Sequence, residues 1–370
     1  MRRLAKALIV LILLTVGAPS SAEAAPAVSV QGACLMEATT GRVLYEHNAD
    51  QGLPIASTTK IMTALLAIEN CNLDELVAID DEAVGTEGSS MYLGYDETLS
   101  VRDLLYGLML TSGNDAAVAL AIHIAGSVED FATMMNEKAK SLGCENTNFV
   151  TPNGLHNSNH YASAMDMSLI ASYAMQNEDF AKIVGTTYHE TETGAVSRTL
   201  KNKNKILWEY EGGCGVKTGY TIAAGKCLVF AAERDGLLLV GTVINCPDMW
   251  NGAKNMLDFG FENFEMTTLV DAKTWKASVS VEDGEKKELA AVVEKSIMYP
   301  TKKNGEDTVS VSFECVKSLT APVELNSELG TIRVLVNGQI VGERRLIASQ
   351  SVDKLGFWYY LMEVLERFIA

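Results

Sequence analysis

Pro54-Ile55-Ala56-Ser57-Thr58-Thr59-Lys60-Ile61-Met62-Thr63-Ala64 leads from a proline into residues that are apolar at helical spacing as far as Ile68, with a stop near Asn70. A serine three residues ahead of a lysine on such a helix puts hydroxyl and amine on the same face. Taken alone, Ser-x-x-Lys is a common tetrapeptide and usually a solvated helix face. Its meaning rests on what the rest of the chain brings to it.

Two further segments occur once each, in order: Ser112-Gly113-Asn114 and Lys217-Thr218-Gly219. Ser57 needs a base, because a free hydroxyl is not ionised near neutral pH. Lys60 serves only if its amine is neutral, and an exposed lysine titrates near 10.4. Burial and a second ammonium, Lys217, both push in the required direction. Ser112 is placed to pass a proton between lysine and leaving group, and Asn114 to hydrogen-bond a substrate amide; alone, the pair reads as a helix cap. Lys217 and Thr218 offer a cation and a hydroxyl to a carboxylate. Gly219 lets a substrate backbone approach an edge strand.

The ends of the chain carry their own signals. Arg2, Arg3 and Lys6 precede an apolar run over residues 7–16, and Ala22-Glu23-Ala24 is a small-x-small cleavage site. Residues 1–24 therefore read as a secretory signal peptide; the run is too short for a membrane span. Its removal takes away three positive charges and one negative, moving the net charge from −17 to −19. So acidic a chain argues against nucleic acid as a partner. At the other end, Phe357, Trp358, Leu361, Leu365 and Phe368 fall at helical spacing. Residues 349–370 are expected to form an amphipathic helix that attaches peripherally to a membrane.

Seven cysteines remain after cleavage (Cys34, Cys71, Cys144, Cys214, Cys227, Cys246 and Cys315). The odd count leaves at least one thiol unpaired or in an intermolecular bond. No Cys-x-x-Cys occurs, which argues against a structural zinc site.

Between the ends, two β-prone runs about Thr39-Thr40-Gly41 read as a hairpin, and helices are expected over 101–110, 115–126, 128–142 and 164–175. A second hairpin is expected from 226–232 and 237–245 about Asp235-Gly236. Residues 25–264 thus form an α/β (α+β) unit that holds every motif. From 265 to 348 the pattern changes to short alternating runs (277–281, 308–313, 331–336, 339–342), with Asn304-Gly305 and Asn337-Gly338 as turns. A helical period shows only at 288–294. This reads as a separate, small all-β domain.

The ordered motifs, with Thr40-Gly41-Arg42-Val43-Leu44-Tyr45, Thr111-Ser112-Gly113-Asn114-Asp115-Ala116-Ala117, His160-Tyr161-Ala162-Ser163-Ala164 and Gly215-Val216-Lys217-Thr218-Gly219-Tyr220-Thr221, resemble the low-molecular-mass penicillin-binding proteins that act as D-alanyl-D-alanine carboxypeptidases. The resemblance covers nearly all of 28–261. It implies a β-lactamase/transpeptidase-like sheet packed on a helical cluster, and a Ser57 acyl-enzyme formed on the peptidoglycan stem peptide. It further implies Lys60 as proton acceptor, Ser112 as relay, Lys217 as carboxylate partner, and an oxyanion hole from the Ser57 and Tyr220 N–H groups. β-Lactam antibiotics are implied as covalent inhibitors, the outer face of the cytoplasmic membrane as the location, and no metal or organic cofactor. Lys203, in Asn202-Lys203-Asn204, is the candidate for a basic residue that aids carboxylate recognition. Where some relatives carry an arginine, this chain has Asp248-Met249-Trp250-Asn251.

Three rival readings stay in view. A class A β-lactamase needs a glutamate that activates the deacylating water, and Thr151-Pro152-Asn153-Gly154-Leu155 offers none; Glu145 is the only one nearby. A zinc peptidase could use His156 and His160, but the pair lacks the glutamate of His-Glu-x-x-His. The third reading is a protein that binds peptidoglycan without turning it over.

Overall fold

The computed structural model describes residues 6–12 and 25–357, with Leu361 and Leu365. The chain divides near Asn263 into two units.

The larger unit is built on a five-stranded antiparallel sheet. Its order is Val43–His47, Gly32–Glu37, Leu237–Ile244, Gly225–Arg234, Gly213–Thr221. The expected hairpin about Asp235-Gly236 is present. Both turn residues have positive φ (50° and 76°), the combination of a type I′ turn matched to strand twist. The inner strands are apolar almost throughout because helices cover both faces. Ser168 of helix Ala164–Met175 donates to Thr242 Oγ1 at 2.8 Å and to the Cys34 carbonyl, whereas Gly260 of helix Met249–Asn263 lies against Leu239 and Leu35. Thr242 and Leu239 are three apart on one strand, so they face opposite sides.

Helix Lys60–Asn70 is buried along most of its length and packs with Val101–Tyr106, Asn114–Ala125 and Ala164–Met175. The expected helix over 101–110 is α-helical to Tyr106 and widens into a π turn, Gly107–Thr111. Among the described residues three helices went unanticipated, the shortest being Ile206–Glu209. Glu178–Gly185 starts at an Asn177 cap, and Met249–Asn263 carries glycines and polar residues that blur its period.

In the second unit a seven-stranded sheet runs Lys6–Ile12, Val309–Val316, Glu328–Val336, Gln339–Ala348, Glu288–Val293, Lys276–Glu282, Ser318–Thr320. Alternate residues, among them Val279, Val281, Leu289, Ala291, Val293, Ile332 and Val334, fill its core. The helical period at 288–294 is corrected here. Glu288–Val293 is a strand laddered to Lys276–Glu282 and Gln339–Ala348, and alternate burial outweighs the helix propensity of its alanines.

Of the expected signal peptide, residues 6–12 lie as an edge strand antiparallel to Val309–Val316. The rest of that segment lies outside the described residues. The amphipathic helix expected over 349–370 is corrected at its start: residues 349–356 are not helical, because Val352 is buried in the β core and bridges Val323 while Lys354 bridges Gly284. Phe357, Leu361 and Leu365 are helical and four apart, on one face, and the other residues of that expected helix lie outside the described residues. Among the described residues no helix is long and apolar enough by itself to cross a membrane.

Candidate active site

Ser57 sits in a 3₁₀ turn, Ala56–Thr59, at the head of helix Lys60–Asn70. Hydroxyls tighten the turn: Thr58 Oγ1 donates to the Ile55 carbonyl (2.7 Å) and Thr59 Oγ1 to that of Ala56 (2.8 Å). The three-residue spacing then places Lys60 Nζ 3.0 Å from Ser57 Oγ. Lys60 is fully buried, with Nζ also 2.6 Å from Asn114 Oδ1 and 2.7 Å from the Asn153 carbonyl. Those two oxygens only accept. A neutral amine spends both N–H bonds on them and turns its lone pair to the Ser57 hydroxyl. Burial, then the charge of Lys217, holds the Lys60 amine well below the usual lysine range.

Ser112 closes the π turn in a left-handed conformation (φ 67°, ψ 35°), stabilised where Gly113 N–H donates to the Gly107 carbonyl at 3.0 Å. Asn114 follows at the head of its helix. Its amide oxygen takes the Lys60 amine, and Nδ2 donates to the Glu87 carbonyl at 2.5 Å. The side chain expected to hydrogen-bond a substrate amide is thus also bonded to Lys60 and to the Glu87 carbonyl, with one Nδ2 hydrogen to spare. Asp115 holds the adjoining loop by accepting from Ser90 Oγ (2.6 Å) and from the Met91 and Leu93 N–H groups.

On the opposite wall, strand Gly213–Thr221 carries Lys217, Thr218, Gly219 and Tyr220. A Cβ on Gly219 would fall 3.0 Å from the Ile55 carbonyl oxygen and 3.1 Å from the Ser57 nitrogen, so glycine is what lets this strand reach the serine turn. Lys217 is buried, with one bond at 3.2 Å to the Thr218 carbonyl. Burial and the nearby Lys203 push its amine down to about 7. Lys203 donates to the Thr111 carbonyl at 2.8 Å. Neither Lys203 nor Lys217 is ion-paired among the described residues. Two cations without a counter-ion make an anion site.

These groups open on a cleft of about 500 Å³ lined by Ser57, Ser112, Lys203, Thr218, Gly219 and Tyr220. Sequence reasoning did not foresee two further members, Ser89 and Lys226, while Met249 comes from the segment set against the relatives' arginine. Trp250 joins them, so the place of the arginine found in some relatives holds a broad apolar wall. The Asn153 carbonyl was also missed, since a main-chain ligand leaves no side-chain signal.

The geometry also bears on the rival readings. His160 Nδ1 accepts from the Val150 and Thr151 N–H groups (3.0 and 3.3 Å), so the neutral ring carries its proton on Nε2, 2.8 Å from Thr59 Oγ1. Both nitrogens are engaged in holding the 150–154 loop against the serine turn. Burial and Lys60 push the ring down to about 4. Glu145 is held through its backbone N–H by Asp166. Among the described residues no carboxylate hydrogen-bonds Lys60, whose partners are Ser57, Asn114 and the Asn153 carbonyl.

A serine within hydrogen-bond reach of a buried amine, facing two lysines without an ion-pair partner among the described residues, is the arrangement expected of a serine acyl-transfer enzyme that takes a carboxylate-bearing substrate. Comparison with known proteins narrows the class. Residues 19–248 match the family described as D-alanyl-D-alanine carboxypeptidase, peptidase family S11, and the chain belongs to that family. Residues 264–354 match the C-terminal domain of penicillin-binding protein 5. The chain is 34% identical to D-alanyl-D-alanine carboxypeptidase DacF of Bacillus subtilis, over 99% of this chain and 98% of that one. It is 39% identical to the D-alanyl-D-alanine carboxypeptidase of a Streptomyces species, over 67% and 92%. Among solved structures, penicillin-binding protein 5 from Haemophilus influenzae superposes with a TM-score of 0.72 at 29% identity, covering 90% of this chain and 99% of that one.

Proposed function

We propose that this chain is an exported D-alanyl-D-alanine carboxypeptidase that removes the terminal D-alanine from peptidoglycan stem pentapeptides at the outer face of the cytoplasmic membrane. The observation that carries the reading is Lys60 Nζ, buried and 3.0 Å from Ser57 Oγ, beside the uncompensated charges of Lys203 and Lys217.

The substrate carboxylate docks on Lys217, Thr218 Oγ1 and Lys203, which brings the scissile carbonyl to Ser57. Lys60 takes the hydroxyl proton as Ser57 Oγ bonds to the carbonyl carbon. The oxyanion is met by the N–H groups of Ser57 and Tyr220, where each such donor is worth about 3 kcal/mol in other acyl-transfer enzymes. The proton passes through Ser112 to the departing D-alanine amine, leaving an ester on Ser57. Water, activated by Lys60, hydrolyses it. Asn114 is a positioning residue that aims the lysine lone pair. Penicillin follows the same route but its acyl-enzyme is released slowly, for want of a carboxylate at Asn153.

Residues 1–24 act as the export signal, and cleavage after Ala24 removes the edge strand at 6–12. The C-terminal segment from Phe357, with Phe357, Leu361 and Leu365 on one helical face, attaches the enzyme to the membrane surface. Intact mass after addition of benzylpenicillin, with peptide mapping, tests the nucleophile, and release of D-alanine from a stem-peptide analogue tests the activity. A lasting adduct on Ser57 with D-alanine release is expected. An adduct that vanishes within seconds marks a β-lactamase, and no adduct marks a binding protein.

A further inference from the structure

Cys71, Glu75 and His123 bring a sulfur, a carboxylate oxygen and an imidazole nitrogen within 4.8 Å of one another, on the side of the helical cluster away from Ser57. Cys71 is the residue that ends helix Lys60–Asn70, its N–H donating to the Ala67 carbonyl. His123 lies in the last turn of helix Asn114–Ala125. Both helices therefore direct their C-terminal ends, the negative ends of their dipoles, toward the cluster, which favours a cation there. Glu75 comes from the short loop that leads from helix Lys60–Asn70 to strand Leu76–Ala78, and that loop is fixed. Asp74 N–H meets Asn72 Oδ1 at 3.0 Å, the Arg102 guanidinium pairs with Asp74 at 2.8 Å, and the carbonyls of Leu73 and Glu75 accept from the Arg102 and Val101 N–H groups at 2.9 Å. Glu75 Oε1 already lies 3.1 Å from His123 Nε2. All three groups are partly exposed, so a metal ion has a path in.

We propose that Cys71, Glu75 and His123 form a zinc-binding site whose fourth position is open to water. Thiolate, imidazole and carboxylate on a tetrahedral ion are a donor set that suits zinc better than magnesium or calcium. On binding, the Cys71 thiol gives its proton to solvent. The sulfur, a Glu75 oxygen and the His123 Nε2 lone pair each donate to the metal, and nothing is oxidised or reduced. The histidine proton then sits on Nδ1, and the His123–Glu75 hydrogen bond is replaced by two metal bonds.

The placement gives the site a task. Lys60 and Asn114, bonded at 2.6 Å, are the first residues of two helices that run side by side, and Cys71 and His123 lie toward their far ends, about 16 Å and about 13 Å along the respective axes. The ion ties those far ends together and so holds the pair that aims the catalytic amine. Short-motif reading could not find this site. Cys71 and Glu75 are four apart, and the third ligand comes from another helix.

The test uses the full chain, metal-free and reduced, titrated with Co²⁺ as a spectroscopic stand-in for zinc. One equivalent is expected to produce the near-ultraviolet thiolate-to-cobalt charge-transfer band, which zinc then displaces. Zinc raises the melting temperature in a concentration-dependent way. Cys71→Ser abolishes the band and the zinc-dependent shift, and His123→Ala weakens cobalt binding at least tenfold. Far-ultraviolet circular dichroism reports that both variants remain folded. No band in the native chain, an undiminished band in Cys71→Ser, or unchanged affinity in His123→Ala would each overturn the proposal and leave His123–Glu75 as an ordinary surface pair.

Discussion

The Asn114 amide oxygen and the Lys60 amine stand 2.6 Å apart, and the second side of the same Asn114 amide is anchored 2.5 Å away on the Glu87 carbonyl. A neutral acceptor at that place orients the amine without adding charge. Asn114→Asp keeps the shape and changes only the charge. A carboxylate so close stabilises the ammonium form of Lys60 and raises its pKa. Acylation by benzylpenicillin at pH 7 is expected to fall by about 10²–10⁴, the usual worth of a general base. The rate should partly recover as pH rises. Equal loss at every pH would mean that Asn114 acts through substrate contact instead.

The two active-site lysines imply a bell-shaped pH profile for kcat/KM. In the proposed mechanism Lys60 works unprotonated, so the rate is expected to climb with pH through its depressed pKa. Lys217 works protonated in the same mechanism, and burial with the nearby Lys203 pushes its amine down to about 7, so substrate capture is expected to decline as pH rises through that value. A bound carboxylate favours the ammonium form of Lys217. The alkaline limb of kcat should therefore lie above that of kcat/KM. Steady-state rates on a D-alanyl-D-alanine peptide across pH 5–10 (roughly, the span over which shifted lysines titrate) check both limbs; coincident alkaline limbs would remove Lys217 as the carboxylate partner.

How much of this site was legible depends on whether a residue acts through its side chain and near its motif. Ser57 and Lys60 could be paired because three residues on a helix fix their relative position. Asp235-Gly236 announced its hairpin because few residues accept the positive φ of that turn. The Asn153 carbonyl could not be found, since any residue has one. Asn114 was recognised as part of the site, but its committed partners, Lys60 and Glu87, depend on how three segments converge. In the second unit the alanines of Glu288–Val293 favoured a helix until the neighbouring strands claimed their alternate faces. The Cys71–Glu75–His123 cluster was hidden because helix packing, not spacing, assembles it.

Gly219 separates catalytic geometry from stability. Gly219→Ala places a methyl group 3.0–3.2 Å from the Ile55 carbonyl oxygen and the Ser57 and Thr58 nitrogens, all main-chain atoms. The strand must then retreat by a few tenths of an ångström from the serine turn. Misplacement of that order is expected to lower acylation by about 10- to 100-fold. Melting temperature should change little, because the ladder of Gly213–Thr221 with Gly225–Arg234 can move as one piece. A large loss of melting temperature with normal acylation of the remaining folded protein would reverse this reading.

Lys203 is argued to act twice, and Lys203→Met separates the two effects. It donates to the Thr111 carbonyl at 2.8 Å on the rim of the cleft, and its charge is the second cause, after burial, of the low Lys217 pKa. Losing a charge-assisted bond to the substrate carboxylate costs about 1.5–3 kcal/mol, so KM should rise roughly 10- to 100-fold. Removing the neighbouring cation also lets Lys217 hold its proton to higher pH, which moves the alkaline limb of kcat/KM upward. A raised KM with an unmoved limb would assign Lys203 to substrate contact alone. A moved limb with unchanged KM would make it a tuning charge for Lys217. Both together are expected, because one ammonium faces the substrate carboxylate and Lys217 at once.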